Sequence, residues 1–143
     1  MVVFLDFDGV LHGVSRPAFN EESMKHLEAC LEIHGASIVI ISSWKDELPL
    51  DELVRRLGSL GHRVIGKCNE EPAFTKVPRE SLVDAWLADQ EYAGPWLAVD
   101  DHPQWYGRHA VQVYATASKT GFTEDDVAAF HALARTVQSP SNG

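Results

Sequence analysis

The sequence predicts an α/β fold, in which five short strands form a mainly parallel sheet between two helical layers. Three observations predict it. Short apolar runs, rich in β-branched and aromatic residues, alternate along the chain with longer amphipathic stretches, the pattern of strands buried on both faces. A length of 143 residues suits one domain, and a chain of that size hides about two-thirds of its unfolded surface without staples. Hydrophobic residues make up 45% and charged residues 23%, ordinary globular usage that excludes disordered and fibrous classes.

Taken in order, Val2 to Leu5 is a buried strand. Asn20-Glu-Glu-Ser starts a helix, with an Asx cap and acids in the first turn; Met24, Leu27 and Leu31 share a face, and Gly35 stops it. Ser37 to Ile41 is the second strand. Leu50, Leu53, Val54, Leu57 and Leu60 recur at helical spacing, so a helix is expected over 50–60, ended by Gly61. Arg63 to Ile65 is a third strand, and 68–78, with Pro72 and Pro78, an irregular loop. Arg79 to Gln90 is helical, with Leu82, Val83, Trp86 and Leu87 on one face. Trp96 to Val99 and Val111 to Ala115 are strands four and five. Thr123-Glu-Asp-Asp caps a last helix through Val137. The domain is therefore expected to span 1–138, with 139–143 a frayed tail.

Acidic residues number 21 against 12 basic ones, a net charge of -9. A field of that sign repels phosphate backbones, which argues against nonspecific nucleic-acid binding by the whole surface but leaves local basic patches open. Cys30 and Cys68 have no metal-ligand spacing and no near partner, so they read as buried thiols of a reducing compartment. The N-terminus lacks a basic segment and a long apolar one, and no apolar run approaches the roughly 20 residues that span a bilayer. The expected location is cytoplasmic, with no membrane partner.

In an open α/β sheet, ligands bind beyond the carboxyl ends of the strands, near the switch in strand order. Strand one ends in Asp6-Phe7-Asp8-Gly9, strand two in Ser42-Ser43-Trp44-Lys45, and strand four in Asp100-Asp101. Asp6 and Asp8, two apart, point the same way in extended chain, and Gly9 lets the backbone turn away. Four carboxylates in one crevice repel unless a cation intervenes. Mg²⁺, a hard ion that takes one or two carboxylates with waters and substrate phosphate, is the natural remedy.

Asp6-Phe-Asp-Gly-Val-Leu11, the hydroxyls after strand two, a basic residue before a later helix and the acidic pair after strand four resemble, in order, the four motifs of the haloacid dehalogenase (HAD) superfamily. More narrowly, LDFDGVLH, IISSWK, LAVDD and TGFTEDD are similar to the small phosphatase-like HAD domains of RNA-repair proteins. The resemblance implies a three-layer Rossmann-like fold. It implies that Asp6 is the nucleophile, forming an aspartyl-phosphate, and that Asp8 is the general acid and then the base. Ser42 would bond the phosphoryl oxygens, with Ser43 competing for that role and the other serine capping the turn. Arg79 or Lys76 would supply the positive charge, with Lys45 a more distant third. Asp100 would bind Mg²⁺ with Asp6 and the Asp8 carbonyl, and Asp101 would support it.

Gly9 and His12 are expected beside the substrate, although His12 reads equally as a loop histidine without a role. Trp44 is either a stacking platform or, as favoured, a core plug. His102 and Trp105 are either a substrate wall or, as favoured, a surface cluster. Neither 10–19 nor 68–78 is long enough for an independent cap domain, so an open site is expected, suited to a large phosphorylated substrate such as a nucleic-acid terminus. The alternatives are a small-metabolite or nucleotide phosphatase with a lid from a second subunit, the oligomeric state being open, and a silent phosphoryl-binding domain. A response-regulator receiver is disfavoured, since its aspartate follows a later strand.

Overall fold

The apolar run Val2–Leu5 forms β1, the central strand of the sheet. The structure is a computed structural model and describes residues 1–16, 18–72 and 75–139. Around β1 lie β2 (Ser37–Ile40), β3 (Val64–Lys67), β4 (Trp96–Asp100) and β5 (Val113–Ala115), in the order β3-β2-β1-β4-β5, with every pairing parallel. Among the described residues, four α-helices flank the sheet: α1 (Glu21–His34), α2 (Leu50–Arg56), α3 (Arg79–Asp89) and α4 (Val127–Gln138).

The two-residue alternation of the strands divides the core into two layers. Val3, Leu5, Ile38, Ile40, Leu97 and Val99 face α1, α2 and α4, where they meet Leu27, Leu31, Leu53 and Phe130. Val2, Phe4, Val39, Trp96 and Ala98 face the other way, against Leu82, Val83 and Trp86 of α3 and against Tyr106. The result is the expected three-layer α/β sandwich. Cys30 and Cys68 are buried and unpaired, and burial pushes their thiols up to about 11 and about 12, which leaves them unreactive.

Local chemistry explains the elements that match and those that differ. The Asn20 side chain accepts from the Ser23 backbone N–H at 3.0 Å, and Gly35 closes α1 in the left-handed region at φ 58°. The helix expected over 50–60 instead ends at Arg56. Gly58 takes φ 58°, which breaks the α-helical run, and the chain continues as a 3-10 helix over Gly58–Arg63. Leu57 and Leu60 still reach the core, so their spacing reflected burial rather than one continuous helix. β3 accordingly starts at Val64 rather than Arg63. A 3-10 segment, Pro103–Gln112, occupies the approach to β5 and delays its start from 111 to 113. Thr123 and Asp126 form the expected capping box, but on a 3-10 turn, Glu124–Asp126, that precedes α4.

Residues 10–19 and 68–78 carry no helix or strand of their own among the described residues, so no cap domain stands over the strand ends there. The tail expected over 139–143 lies, from Pro140 on, outside the described residues. No helix among the described residues is long and apolar enough to cross a membrane.

Candidate active site

Strand register builds the site. Leu5 pairs with Ile40 on one side and with Val99 on the other, so Asp6, the Ile41–Ser42 step and Asp100 leave the sheet side by side. Asp6 and Asp100 are buried and Asp101 nearly so, and one carboxylate oxygen of each lies within 4.8 Å of the others. Arg79, the first residue of α3, places its guanidinium 3.2 Å from Asp6 Oδ1 and in contact with Asp100 Oδ2. The Tyr106 hydroxyl donates to the same Asp100 oxygen at 2.6 Å, and the His102 backbone N–H donates to the other at 3.0 Å.

This packing has an electrostatic cost. Burial, and then the Asp100 charge, raise the Asp6 carboxyl well above the ordinary carboxylate range, while Arg79 pulls only part of the way back. Burial works against the charge on Arg79, but Asp6 and Asp100 together outweigh it and hold the guanidinium more firmly protonated than usual. Burial and Asp100 likewise raise the Tyr106 phenol, keeping it a donor.

Asp8 lies in different surroundings. Its side chain is 49% exposed, against 5% for Asp6. His12 Nε2 is 2.8 Å from its Oδ1, and the Trp44 indole N–H donates to its Oδ2 at 3.2 Å. The other ring nitrogen of His12 donates to the Gly13 carbonyl at 2.8 Å. With that proton spent on Gly13, the short His12–Asp8 contact needs one more, held by the imidazole or by the carboxyl. His12 is buried, with both ring nitrogens engaged by Gly13 and Asp8. Trp44 is half-buried, packing edge-on against Phe7 and tilted by 34° against Phe19, as a plug does, while its N–H faces the site.

The turn cap falls on Ser42, the serine expected to bond the phosphoryl oxygens, rather than on the other one. Ser42 is fully buried, and its Oγ accepts from the Trp44 backbone N–H at 3.3 Å, so Ser42, not Ser43, caps the turn after β2. Its own hydroxyl hydrogen is left free to donate. Ser43 is exposed and lines a cavity of about 580 Å³ with Lys76, Arg79, Gln104 and Trp105. Of the candidate cations, Arg79 reaches the carboxylates. Lys76 lies with Nζ 4.1 Å from the centre of the Trp105 ring, which also stacks on His102 at 3.8 Å. His102 and Trp105 thus form the favoured ring cluster, and Trp105 also lines this cavity. Lys45 is fully buried and engaged by Asp46 at 3.2 Å and Glu71 at 3.5 Å. Glu71 in turn accepts from the Val77 N–H at 2.8 Å, so Lys45 ties down the loop that delivers Arg79.

The loop after β1 is held by residues that sequence reading missed. Gly9 has φ 78°, and a Cβ there would run into the Asp101 carboxylate, so glycine is required by both backbone and space. Thr116, just past β5, donates to the Gly9 carbonyl at 2.6 Å, and Ser118 donates to Asp101 at 2.7 Å. Tyr106, Thr116 and Ser118 carry no motif; only folding brings them to the strand ends.

The donor set suits a hard cation. Three carboxylates against one guanidinium leave two formal negative charges in a largely buried crevice. All the donors are oxygens, the preference of Mg²⁺, and Asp6, Asp100 and Asp101 would hold it. The Asp8 carboxylate, turned to His12 and Trp44, is not in this group, which leaves its backbone carbonyl as the possible ligand. A family model described as the HAD domain in Swiss Army Knife RNA repair proteins matches residues 2–127. No curated protein matches the chain. That family points to phosphatase-type hydrolase chemistry, and its members generally use Mg²⁺. With the match running from β1 to the first residue of α4, and the motif residues gathered at one sheet edge, the chain belongs to the HAD domains of Swiss Army Knife RNA repair proteins.

Proposed function

We propose that the protein is a Mg²⁺-dependent phosphatase that hydrolyses a phosphomonoester at a nucleic-acid end through an aspartyl-phosphate on Asp6. The observation that carries this reading is the contrast within one motif: a buried Asp6 braced by Arg79, and a half-exposed Asp8 hydrogen-bonded to His12. An Asp6 oxygen attacks phosphorus as the bond to the leaving oxygen breaks, and Asp8 gives that oxygen its proton. Water then attacks the phosphorus of the aspartyl-phosphate. Asp8 takes its proton, phosphate leaves and Asp6 is free again. Arg79 and the Ser42 hydroxyl stabilise the phosphoryl oxygens in both steps. When bound at Asp6, Asp100 and Asp101, Mg²⁺ supplies charge neutralisation for these oxygens and for the nucleophile.

Two features support a polymer end. No cap stands over the strand ends among the described residues, so an extended chain has access. Cations at the mouth lie against aromatic rings, Lys76 on Trp105 and Arg56 on Trp44, a pairing suited to bases and phosphates together. The test is steady-state kinetics with Mg²⁺ and with EDTA. A phosphorylated oligonucleotide should exceed a sugar phosphate in kcat/KM by about tenfold or more, roughly 1.4 kcal/mol. Turnover that survives thorough chelation, or a clear win for the sugar phosphate, rejects it.

A further inference from the structure

We propose that the notch formed by Phe19, Trp44 and Arg56 is the leaving-group subsite, taking the terminal nucleobase as a stacked plane and the next phosphodiester against Arg56. This rests on the phosphatase reading above and assigns the part of the site that selects its substrate.

The chemistry fixes the side. The leaving oxygen must lie within hydrogen-bond reach of the acid, Asp8. The residue joining Asp8 to an open hollow is Trp44, whose N–H holds the Asp8 carboxylate and whose ring lines a notch of about 260 Å³ with Ala18, Phe19 and Arg56. The larger cavity is lined instead by Arg79 and Ser43, and none of its described lining residues bonds the Asp8 side chain. The body of the leaving group therefore runs over Trp44.

Shape and charge then select the occupant. His12, Phe19 and Trp44 form a ladder of rings with centres 5.7 and 5.1 Å apart and tilts of 31° and 34°. One more flat ring continues such a ladder, and base-on-aromatic stacking tolerates any base. The notch is smaller than the roughly 300–1,000 Å³ of ordinary ligand pockets, which suits a single planar ring. Arg56, its side chain 48% exposed and its guanidinium 5.9 Å from the centre of the Trp44 ring, is positioned for a following phosphate, which must compete with Glu52 at 3.1 Å. A chain of net charge -9 thus avoids a broad basic surface and engages one nucleotide through stacking and a single local cation.

The experiment compares kcat/KM for phosphorylated dinucleotides that carry or lack the base nearest the scissile phosphate. The native protein should favour the base-bearing end about tenfold or more. In Trp44→Leu and Phe19→Leu the ratio should fall to within about twofold of one; any loss through Asp8 affects both substrates and cancels in the ratio. Arg56→Gln, a change at an exposed site that leaves folding secure, should cost about fivefold on the dinucleotide relative to the mononucleotide. A native ratio near one, a ratio sensitive to Trp105→Leu instead, or preference for a phosphopeptide overturns the assignment. Fluorescence anisotropy with the same oligonucleotides on Asp6→Asn protein separates the two readings. Base- and Arg56-dependent binding without any phosphomonoester turnover in the native protein keeps the subsite and rejects the phosphatase. Turnover without base dependence does the reverse.

Discussion

Asp6 and Asp8 follow the same strand end, yet their surroundings are opposite. Asp6 is buried beside Asp100 and Arg79, where desolvation works against its charge. Asp8 is half open to water and held by the His12 ring and the Trp44 indole N–H. On the proposed mechanism, two identical carboxyl groups thus receive different tasks from their neighbours, a buried nucleophile and an accessible proton carrier, as paired catalytic carboxyls do elsewhere. The difference arises because β1 ends at Leu5. Asp6 still lies between β2 and β4, whereas Asp8 is already on a loop turning through Gly9.

The sharpest way to break the comparison is Asp6→Asn. The amide keeps the shape but is a poor nucleophile, so kcat should fall on the order of 10⁴-fold or more. Metal-free stability should rise, because the change removes a charge that burial disfavours; a gain of about 1 kcal/mol corresponds to roughly 2–4 °C in Tm. Substantial activity in clean protein removes Asp6 from its role. Asp8→Asn should cost about 10²–10⁴-fold, most for poor leaving groups and least for an aryl phosphate whose oxygen needs no proton. Its Tm should move by less than about 2 °C, because Asp8 is half exposed. Equal losses on all leaving groups exclude the acid role.

Arg79→Met tests the bracing from the other side. It strands two buried carboxylates, and breaking such a pair costs about 3–5 kcal/mol. Denaturant unfolding at neutral pH without metal should show that loss, and saturating Mg²⁺ should recover part of it. The pH dependence follows from the direction of the Asp6 shift. Its folded-state value lies above the unfolded carboxylate near 3.8, so between the two the native state binds more protons. In metal-free protein this group therefore contributes stability that falls as pH rises through that window, and Asp6→Asn should flatten the slope. A slope unchanged by the substitution places the titration elsewhere.

The sheet was legible because each strand is a β-branched or aromatic run, Asp6 and Asp100 because each follows such a run directly, and Asp8 because it stands two positions past Asp6. The α2 boundary was not, because the leucine spacing continues past Gly58 and spacing reports burial rather than backbone conformation. The serine cap was misplaced because Ser42 and Ser43 are chemically identical; only the backbone turn decides which hydroxyl meets the Trp44 N–H. Tyr106 and Thr116 were missed because they reach Asp100 and Gly9 through folding, six and 107 positions away in the chain. The ring ladder was half legible. Trp44 was weighed as plug or platform, and it packs as one while its N–H holds Asp8.

The smallest expected effect separates those two properties of Trp44. Trp44→Phe keeps a ring against Phe7 and Phe19 but deletes the N–H donated to Asp8 Oδ2. Since Asp8 is half exposed, water can replace the lost donor, so the penalty stays well below that of an unsatisfied buried group. His12 still holds the other oxygen, and the carboxyl keeps its proton source with a looser orientation. A fall in kcat of about three- to tenfold is expected, roughly 0.7–1.4 kcal/mol, with KM for a base-bearing end nearly unchanged. If KM rises while kcat holds, the indole contributes through its face and not its N–H, and Asp8 is oriented by His12 alone. If neither moves, Trp44 acts only as packing, and the difference between Asp6 and Asp8 comes from burial without help from the ring beside it.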